Sequence, residues 1–312
     1  MRFLALLRHL AVCASVLSLA GAAQAEVING YNSAVNDRFT PGTFPGNTPP
    51  SVNAGFLLAG YDLSGVGWVP GVNGAGTKQV TMISDENYIA ATHFQLGLGT
   101  TVAFRAANGT YVTRTVQAET QIGGSDVLVG RLSSPVPTGV GGVTSYPLVV
   151  GPRSSFMGLT TYMFGQHGEV GTNILADWLF PNGPNTTENV GTGVTSMIQT
   201  DYDPNYNLDG LPISPYEFFS TPGDSGSPDL MIINGQLGLM GDHMSAYTDG
   251  SNVPAGTGET FLSDYQSLIA AQLLSDGRVL STVAVPEPSS LVLIGLGSAW
   301  PVLRRLRRRA AA

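Results

Sequence analysis

Short apolar runs separated by turn residues fill the middle of the chain and constrain its fold most. From about residue 54 to residue 258 the runs are too short for helices, and Gly, Pro, Asn or Ser lies between them. The chain has 40 Gly and 20 Pro among 312 residues and is only 12% charged, which excludes coiled coils and helical bundles. This pattern predicts all-β barrels or sandwiches. Clear examples of the runs are Gly55–Ala59, Gln79–Ile83, Thr101–Phe104, Tyr111–Val116, Asp126–Val129 and Gly235–Met240.

One helix is predicted near the end of this region. Ser263 or Asp264 is a candidate N-cap, and Gly277 is a candidate stop. We expect the helix to pack against the last strands of the fold. The residues at helical spacing are Leu262, Tyr265, Leu268, Ile269, Leu273 and Leu274.

The N-terminus has the three parts of a secretory signal peptide. Residues 1–25 contain Arg2 and Arg8, then an apolar stretch, then the small-x-small pattern Ala23-Gln24-Ala25 that signal peptidase accepts. Glu26 is therefore the predicted first mature residue. Residues 26–53 are rich in Pro, Gly, Asn and Thr without a sustained apolar period, which predicts an N-terminal arm.

The C-terminal residues 281–312 contain a short motif, a hydrophobic run and an arginine cluster in that order. Pro286-Glu287-Pro288 is followed by the apolar run Leu291–Leu303 and by five arginines between residues 304 and 309. About twenty apolar residues span a bilayer, so this run is short. The segment resembles the PEP-CTERM sorting signal of Gram-negative bacteria. The resemblance implies processing by an exosortase-type enzyme, membrane contact through residues 291–309 before processing, and a cell-surface or extracellular-matrix location; a plain membrane anchor is the alternative.

The net charge of the exported region differs from that of the whole chain. Of 14 basic and 22 acidic residues, two arginines lie in the signal, and five arginines and Glu287 lie in the tail, so seven basic and 21 acidic residues remain, a net charge of −14. Lys78 is the single lysine, so we expect no nucleic-acid partner. Cys13 lies in the signal, so the mature region contains no disulfide.

The segment Gly223–Pro228 carries the strongest chemical signal. A serine between glycines on a tight turn is exposed without steric conflict, and the amides of Gly223 and Ser225 can converge on a developing oxyanion. Such a serine needs a general base. The mature region offers three histidines, His93, His167 and His243.

His93 and Asp126 have the settings that a base and its partner require. His93 ends an apolar strand, where an imidazole can face a cleft. Asp126 begins an otherwise apolar strand, so its carboxylate would be buried at a cost unless it has a partner. A histidine N–H is the natural partner. His167 is predicted to lie in a surface loop.

Three segments, Ile83–Phe94, Asp126–Leu132 and Gly223–Pro228, resemble the signature segments of chymotrypsin-fold, trypsin-like serine proteases. The resemblance implies an all-β fold of two six-stranded antiparallel β-barrels, over residues 54–145 and 146–280, with a C-terminal α-helix closing the second. It implies that Ser225 is the nucleophile, His93 the general base and Asp126 the group that orients it. The amides of Gly223 and Ser225 would form the oxyanion hole.

Some residues depart from the family pattern. Phe219 stands where trypsins carry an aspartate that binds Lys or Arg, so cleavage after basic residues is not expected. Phe219, Asp242 and His243 are the predicted residues of the substrate pocket. Asp224 pairs in the family with a new amino terminus, but the terminus at Glu26 lies one residue ahead of Val27, so a further trim or another partner for Asp224 is needed.

No resident metal or cofactor is predicted, with one alternative. Asp201, Asp203 and Asp209 alternate as calcium ligands do, but the loop lacks the Gly and Glu of an EF-hand, which favours a solvated acidic loop.

The leading hypothesis is a secreted serine endopeptidase that cleaves polypeptides through an acyl-enzyme. The alternative is a catalytically inactive protease-like scaffold that binds partners at the cell surface or in the matrix. A polysaccharide-binding module, suggested by Trp68 and Trp178, is a third.

Overall fold

The computed structural model describes residues 27–46, 48–71, 77–176, 179–180, 183–184, 186–202, 213–248 and 253–286. Strands dominate these residues, as the sequence predicts, but the predicted run Gly55–Ala59 forms turns instead of a strand. The strands are β1 (Val27–Ile28), β2 (Val66–Trp68), β3 (Gln79–Met82), β4 (Asn87–Ala91), β5 (Thr101–Arg105), β6 (Tyr111–Gln121), β7 (Val127–Leu132), β8 (Leu148–Val150), β9 (Thr160–Phe164), β10 (Val170–Ala176), β11 (Leu179–Phe180), β12 (Gly183–Pro184), β13 (Thr187–Glu188), β14 (Thr195–Asp201), β15 (Phe218–Phe219), β16 (Pro228–Ile233), β17 (Gln236–Thr248), β18 (Pro254–Thr260) and β19 (Thr282–Ala284).

The first barrel closes in the strand order β2-β3-β4-β7-β6-β5, with every pair antiparallel. One close approach in it depends on a glycine. Gly130 of β7 pairs with Tyr88 of β4, and a Cβ on Gly130 would lie 1.9 Å from the Tyr88 ring. Glycine therefore lets this buried ring cross its partner strand. The interior is filled by residues that include Val80, Met82, Phe104, Val116 and Leu128.

The second barrel closes through β9, β10, β14, β18, β17 and β16, again with every pair antiparallel. Outside this ring, β8 pairs in parallel with β17 and with β19, and β13 pairs with β14. The predicted fold of two six-stranded barrels is thus confirmed. The interior of the second barrel includes Phe156, Leu175, Ile198, Met240 and Phe261.

The predicted C-terminal helix is confirmed as α2 (Gln266–Ser275), and α1 (Ser33–Asn36) is a single turn in the N-terminal arm. Gly277, at φ +73°, ends α2: its N–H donates to Leu274, and the next N–H donates to Leu273, which is a Schellman motif.

The predicted N-cap of this helix is wrong. A 3₁₀ turn, Leu262–Tyr265, precedes α2 and contains both candidate caps. The Ser263 hydroxyl donates to the carbonyl oxygen of Gly151, and the Asp264 carboxylate accepts from Ser196. Both side chains are therefore engaged with the second barrel instead of the helix terminus.

Both ends of the described chain form strand pairs, the first in a separate two-stranded sheet and the second in the sheet of the second barrel. β1 pairs with β15, and β19 pairs with β8, so Thr282–Ala284 lie in the sheet although the sequence places residue 281 onward in the sorting segment. Among the described residues, no helix is long and apolar enough to cross a membrane. The predicted signal (1–25) and the membrane-contacting run (291–309) lie outside the described residues.

Candidate active site

Strand pairing within the first barrel brings His93 next to Asp126. β4 and β7 are neighbours, and Ala91 lies opposite Val127. His93 follows Ala91 in a 3₁₀ turn, Thr92–Phe94, while Asp126 directly precedes Val127. The two side chains therefore leave the same end of adjacent strands.

The second barrel contributes Ser225 from the turn between β15 and β16. Gly226, at φ +77°, is in the left-handed region that favours glycine, and a Cβ there would lie 3.0 Å from the amide nitrogen of Ala91. The glycine thus serves both the tight turn and its close approach to β4. Ser225 is carried against His93 across the junction of the two barrels.

The three side chains form a continuous chain of contacts. Nδ1 of His93 lies 2.6 Å from Oδ2 of Asp126, and Nε2 lies 2.8 Å from Oγ of Ser225. The backbone N–H of His93 also donates to Oδ1 of Asp126 at 2.8 Å. With the Nδ1 proton facing the carboxylate, the Nε2 lone pair accepts the Ser225 hydroxyl proton. This is the arrangement that activates a serine nucleophile.

Further contacts hold the carboxylate of Asp126, which is fully buried. The Thr192 hydroxyl donates to its Oδ1 at 3.0 Å, and the backbone N–H of Asp126 donates to the Thr195 hydroxyl at 2.7 Å. Both threonines belong to the second barrel. The orientation of the imidazole therefore depends on both barrels.

The pKa of His93 is raised above 6.5. Burial alone lowers this pKa, but the hydrogen bond to Asp126 and the charge of that carboxylate outweigh burial, and Asp242 adds in the same direction. The imidazole is therefore a stronger base than a free histidine.

The amides of Gly223 and Ser225 are not used elsewhere within the described chain. The neighbouring amides are used: Asp224 donates to Thr221, Gly226 to His243, and Ser227 to Asp224. Gly223 has φ +114°, which glycine adopts readily. Two N–H groups are thus left beside the Ser225 hydroxyl, as an oxyanion hole requires.

A cavity of about 280 Å³ opens beside Ser225. Of the three predicted pocket residues, His243 lines it. Phe219 is buried and lies against Tyr202, with 5.6 Å between ring centroids, and Asp242 is buried against Thr260. The cavity is lined by Ser220, Thr221, Pro222, Ser225, His243, Met244, Ser245 and Ala246.

His243 belongs to a second buried cluster that the sequence analysis missed. Its Nδ1 lies 2.7 Å from Oε2 of Glu259 and 3.7 Å from Oδ2 of Asp229, and its Nε2 lies 3.0 Å from the carbonyl oxygen of Phe164. The imidazole stacks on Phe218, with 5.2 Å between centroids. Asp229 carries the same signal that marks Asp126, an acid near the start of an otherwise apolar strand.

The charges of this cluster follow from burial and mutual contact. Burial lowers the pKa of His243, but the charges of Asp229 and Glu259 outweigh it and raise the pKa to about 10. Burial, together with the charge of Glu259, raises the pKa of Asp229 well above its usual range. Burial favours a higher pKa for Glu259, but His243 outweighs it and lowers that pKa. The contacts therefore favour a charged His243 beside an ionised Glu259.

Asp229, His243 and Glu259 are also the described residues whose spacing could hold a metal ion, with one donor atom from each within 4.8 Å of the others. The 2.7 Å between His243 and Glu259 is a direct hydrogen-bond distance, shorter than two ligands of one ion keep at metal–ligand bonds of about 2.0–2.2 Å. His243 and Glu259 therefore form a hydrogen-bonded pair, with Asp229 close by.

Two other predictions concern loops: the candidate calcium loop, which the structure describes only in part, and His167, which it describes. Asp201 ends β14 and is buried, whereas Asp203 and Asp209 of the candidate calcium loop lie outside the described residues. His167 lies in the loop between β9 and β10, apart from the Ser225 contacts.

Residues 284–309 match the PEP-CTERM protein-sorting motif. The motif indicates export and sorting to the cell envelope of a Gram-negative bacterium, and recognition by an exosortase-type processing enzyme. No curated protein matches the chain at a significant level. The chain is therefore a secreted, envelope-sorted protein with a double-barrel fold that is compatible with a chymotrypsin-like hydrolase.

Proposed function

We propose that this chain is a serine endopeptidase that acts on polypeptides outside the cytoplasm. The observation that carries the proposal is the continuous contact from Asp126 through His93 to Ser225, with distances of 2.6 and 2.8 Å. The first two residues come from one barrel and the third from the other, so the contact exists only in the folded chain. The amides of Gly223 and Ser225 complete the site.

Acylation follows from this geometry. The Oγ of Ser225 attacks the scissile carbonyl carbon while Nε2 of His93 takes the hydroxyl proton. Asp126 stabilises the imidazolium that forms, and the amides of Gly223 and Ser225 stabilise the oxyanion. The C–N bond then breaks, and His93 gives its proton to the leaving amine.

Deacylation uses the same groups with water in place of the amine. His93 takes a proton from a water molecule that attacks the acyl ester, and the second oxyanion occupies the same two amides. When the C–O bond breaks, His93 returns the proton to Oγ of Ser225. The site is restored with no net change in the enzyme.

The cavity beside Ser225 supplies the binding site for the side chain before the scissile bond. Its walls carry hydroxyl groups from Ser220 and Thr221, the small Ala246 and the imidazole of His243. The hydroxyl of Ser245 donates to Glu188 at 2.6 Å. A substrate side chain of moderate size fits about 280 Å³.

The proposal is tested by cleavage of a denatured protein mixture, with the new termini read by mass spectrometry. We compare the wild type with Ser225→Ala and with a control, Ser133→Ala, which removes an exposed hydroxyl after β7. The wild type and Ser133→Ala should produce the same new termini, and Ser225→Ala should produce none. A folded wild type that cleaves nothing, or Ser225→Ala that cleaves equally, would overturn the proposal in favour of the non-catalytic scaffold.

A further inference from the structure

One buried glutamine links the turn that carries Ser225 to the loop between β9 and β10 through hydrogen bonds. Gln166 is 1% exposed. Its backbone N–H donates to Oδ1 of Asp224 at 2.9 Å, and its side-chain Nε2 donates to the carbonyl oxygen of Pro222 at 3.2 Å. One residue therefore contacts both sides of Gly223.

The second contact sets the direction of the Gly223 amide. In a trans peptide the C=O and the following N–H point to opposite sides. Because the Pro222 carbonyl faces Gln166, the Gly223 N–H faces away from Gln166. A Cβ on Gly223 would lie 2.4 Å from Oε1 of Gln166, so only glycine lets the loop pack this closely. The glutamine thus holds the peptide whose N–H serves the oxyanion hole.

The Asp224 carboxylate is also held by donors inside the second barrel. Besides the Gln166 amide on Oδ1, the backbone N–H of Thr221 donates to Oδ2 at 2.6 Å, and the Thr221 hydroxyl donates to the same atom at 3.1 Å. Asp224 is fully buried. These three donors help to compensate for its burial.

A second glutamine, which lies in the first barrel, donates a hydrogen bond to the same loop. Nε2 of Gln79, in β3, donates to the carbonyl oxygen of Gly165 at 2.6 Å and lies 3.1 Å from Oγ of Ser227. Gln79 is 2% exposed. Contacts at residues before and after Ser225 therefore join its turn to the loop that contains Gln166.

The start of the described chain is engaged elsewhere. Val27 and Ile28 form β1 and pair with Phe219 and Phe218 as strand residues. The backbone N–H of Asn29 continues this pairing by donating to Glu217 at 2.8 Å. Val27 and Ile28 therefore act as residues of a paired strand. A chain that continues ahead of Val27 can make the same pairing.

We propose that Gln166 is a positioning residue that keeps the oxyanion hole formed, so that the protease is active without a free amino terminus at Val27. The inference rests on the proposed function, because it concerns the same site. It predicts that the chain needs no activating cleavage after removal of its signal.

The first test separates positioning from general stability. Gln166→Ala is compared with Gln199→Ala, which removes an equally buried glutamine of the same barrel, in the chain from Glu26 onward. Gln166→Ala should lower kcat by ten- to a hundredfold with KM little changed, since a displaced oxyanion donor acts in the transition state. Gln199→Ala should keep kcat within about twofold. Equal kcat in Gln166→Ala and wild type at equal folded fraction would overturn the inference while the proposed function stands.

The second test uses the amino terminus. A chain that begins at Glu26 is compared with one that retains an uncleaved tag ahead of Glu26. Their kcat/KM values should agree within about twofold, because the Asp224 carboxylate already accepts hydrogen bonds from Gln166 and Thr221. Activity that appears only after the tag is removed to Val27 would contradict the inference.

A third measurement does not depend on catalysis. Hydrogen exchange of residues 219–226 is followed in Ser225→Ala and in the double variant Ser225→Ala/Gln166→Ala. The double variant should exchange faster in this segment alone, by about tenfold or more for 1.4 kcal/mol of lost local stability. Unchanged exchange in the double variant would overturn the inference. If exchange increases locally in the double variant while the wild-type chain cleaves nothing, the Gln166 contact is supported and only the protease is rejected.

Discussion

The molecule contains two histidine–carboxylate pairs of nearly equal length with different surroundings. In one, Nδ1 of His93 lies 2.6 Å from Asp126, and in the other, Nδ1 of His243 lies 2.7 Å from Glu259. Nε2 of His93 faces the Ser225 hydroxyl, whereas Nε2 of His243 faces the carbonyl oxygen of Phe164. The His93 side chain is 23% exposed and that of His243 is 2% exposed.

The difference teaches that the pair alone does not make a catalytic base. A base must gain and lose a proton at Nε2, so this atom needs a proton donor and access to substrate. His93 has both. His243 uses its two nitrogens in contacts inside the barrel, and its pKa of about 10 keeps it charged. Its role is to compensate buried carboxylates.

The largest expected effect comes from His93→Ala. Without the base, kcat should fall by roughly 10⁴–10⁶-fold, because Ser225 keeps its proton. The melting temperature should change little, since His93 is partly exposed. Steady-state kinetics and thermal unfolding of the same preparation check this. A loss of kcat that only parallels a loss of folded protein would contradict a catalytic role.

The second prediction is the opposite result at the His243–Glu259 pair, a loss of stability without a loss of reactivity in the folded protein. His243→Gln removes the imidazolium and leaves Glu259 buried without its charge partner, at a cost of about 3–5 kcal/mol of folding free energy. Urea unfolding at pH 7 measures this loss. The fraction that remains folded should still react at Ser225. A stable His243→Gln protein without activity would assign His243 to catalysis and break the comparison.

The third prediction concerns Asp242, which lies near His93 and Asp126. Burial raises its pKa to about 7, although the hydrogen bond from Thr260 acts in the opposite direction. Because the folded chain holds this proton more tightly than the unfolded chain, the stabilisation is present at low pH and is lost as pH rises through 7.

Between pH 5 and pH 8 this loss amounts to about 2.5 kcal/mol for pKa values near 7 folded and 3.8 unfolded. Asp242→Asn should remove that part of the pH dependence. Urea unfolding of both proteins at the two pH values gives the comparison. Identical pH dependence in the two proteins would reject the raised pKa.

The smallest effect is the acid limb of the pH–rate profile. His93 acts only when neutral, and Asp126 raises its pKa above 6.5. We therefore expect kcat/KM to fall about tenfold per pH unit below a midpoint that lies above 6.5. Asp126→Asn, assayed for its residual activity, should move this midpoint to lower pH. A wild-type midpoint below 6.5 would contradict the raised pKa.

The fold class and the three central residues could be predicted because each leaves a local signal. Gly223–Pro228 is a turn motif, and Asp126 is an acid at the start of an apolar strand. The partnership of Asp229, His243 and Glu259 depends on three strands and their register, which local sequence does not specify. The N-cap prediction failed for a related reason, since Ser263 and Asp264 bond across the barrel.

Gln166 shows a further limit of prediction from the sequence. Its two contacts bridge 58 and 56 residues of sequence, and nothing about a glutamine in a Gly-rich loop predicts either. The effect that we propose for it depends on the direction of one peptide, which only the folded backbone defines. A residue that acts through such long-range contacts leaves no local signal in the sequence.

The most direct measurement is labelling of the folded chain with a fluorophosphonate, followed by mass mapping of the adduct. The probe requires a serine activated by a histidine and a formed oxyanion hole. We predict one adduct, on Ser225, that is absent in Ser225→Ala, strongly reduced in His93→Ala and retained in the folded fraction of His243→Gln. No adduct on a folded wild-type chain, or an adduct on another residue, would contradict the assignment of the active site.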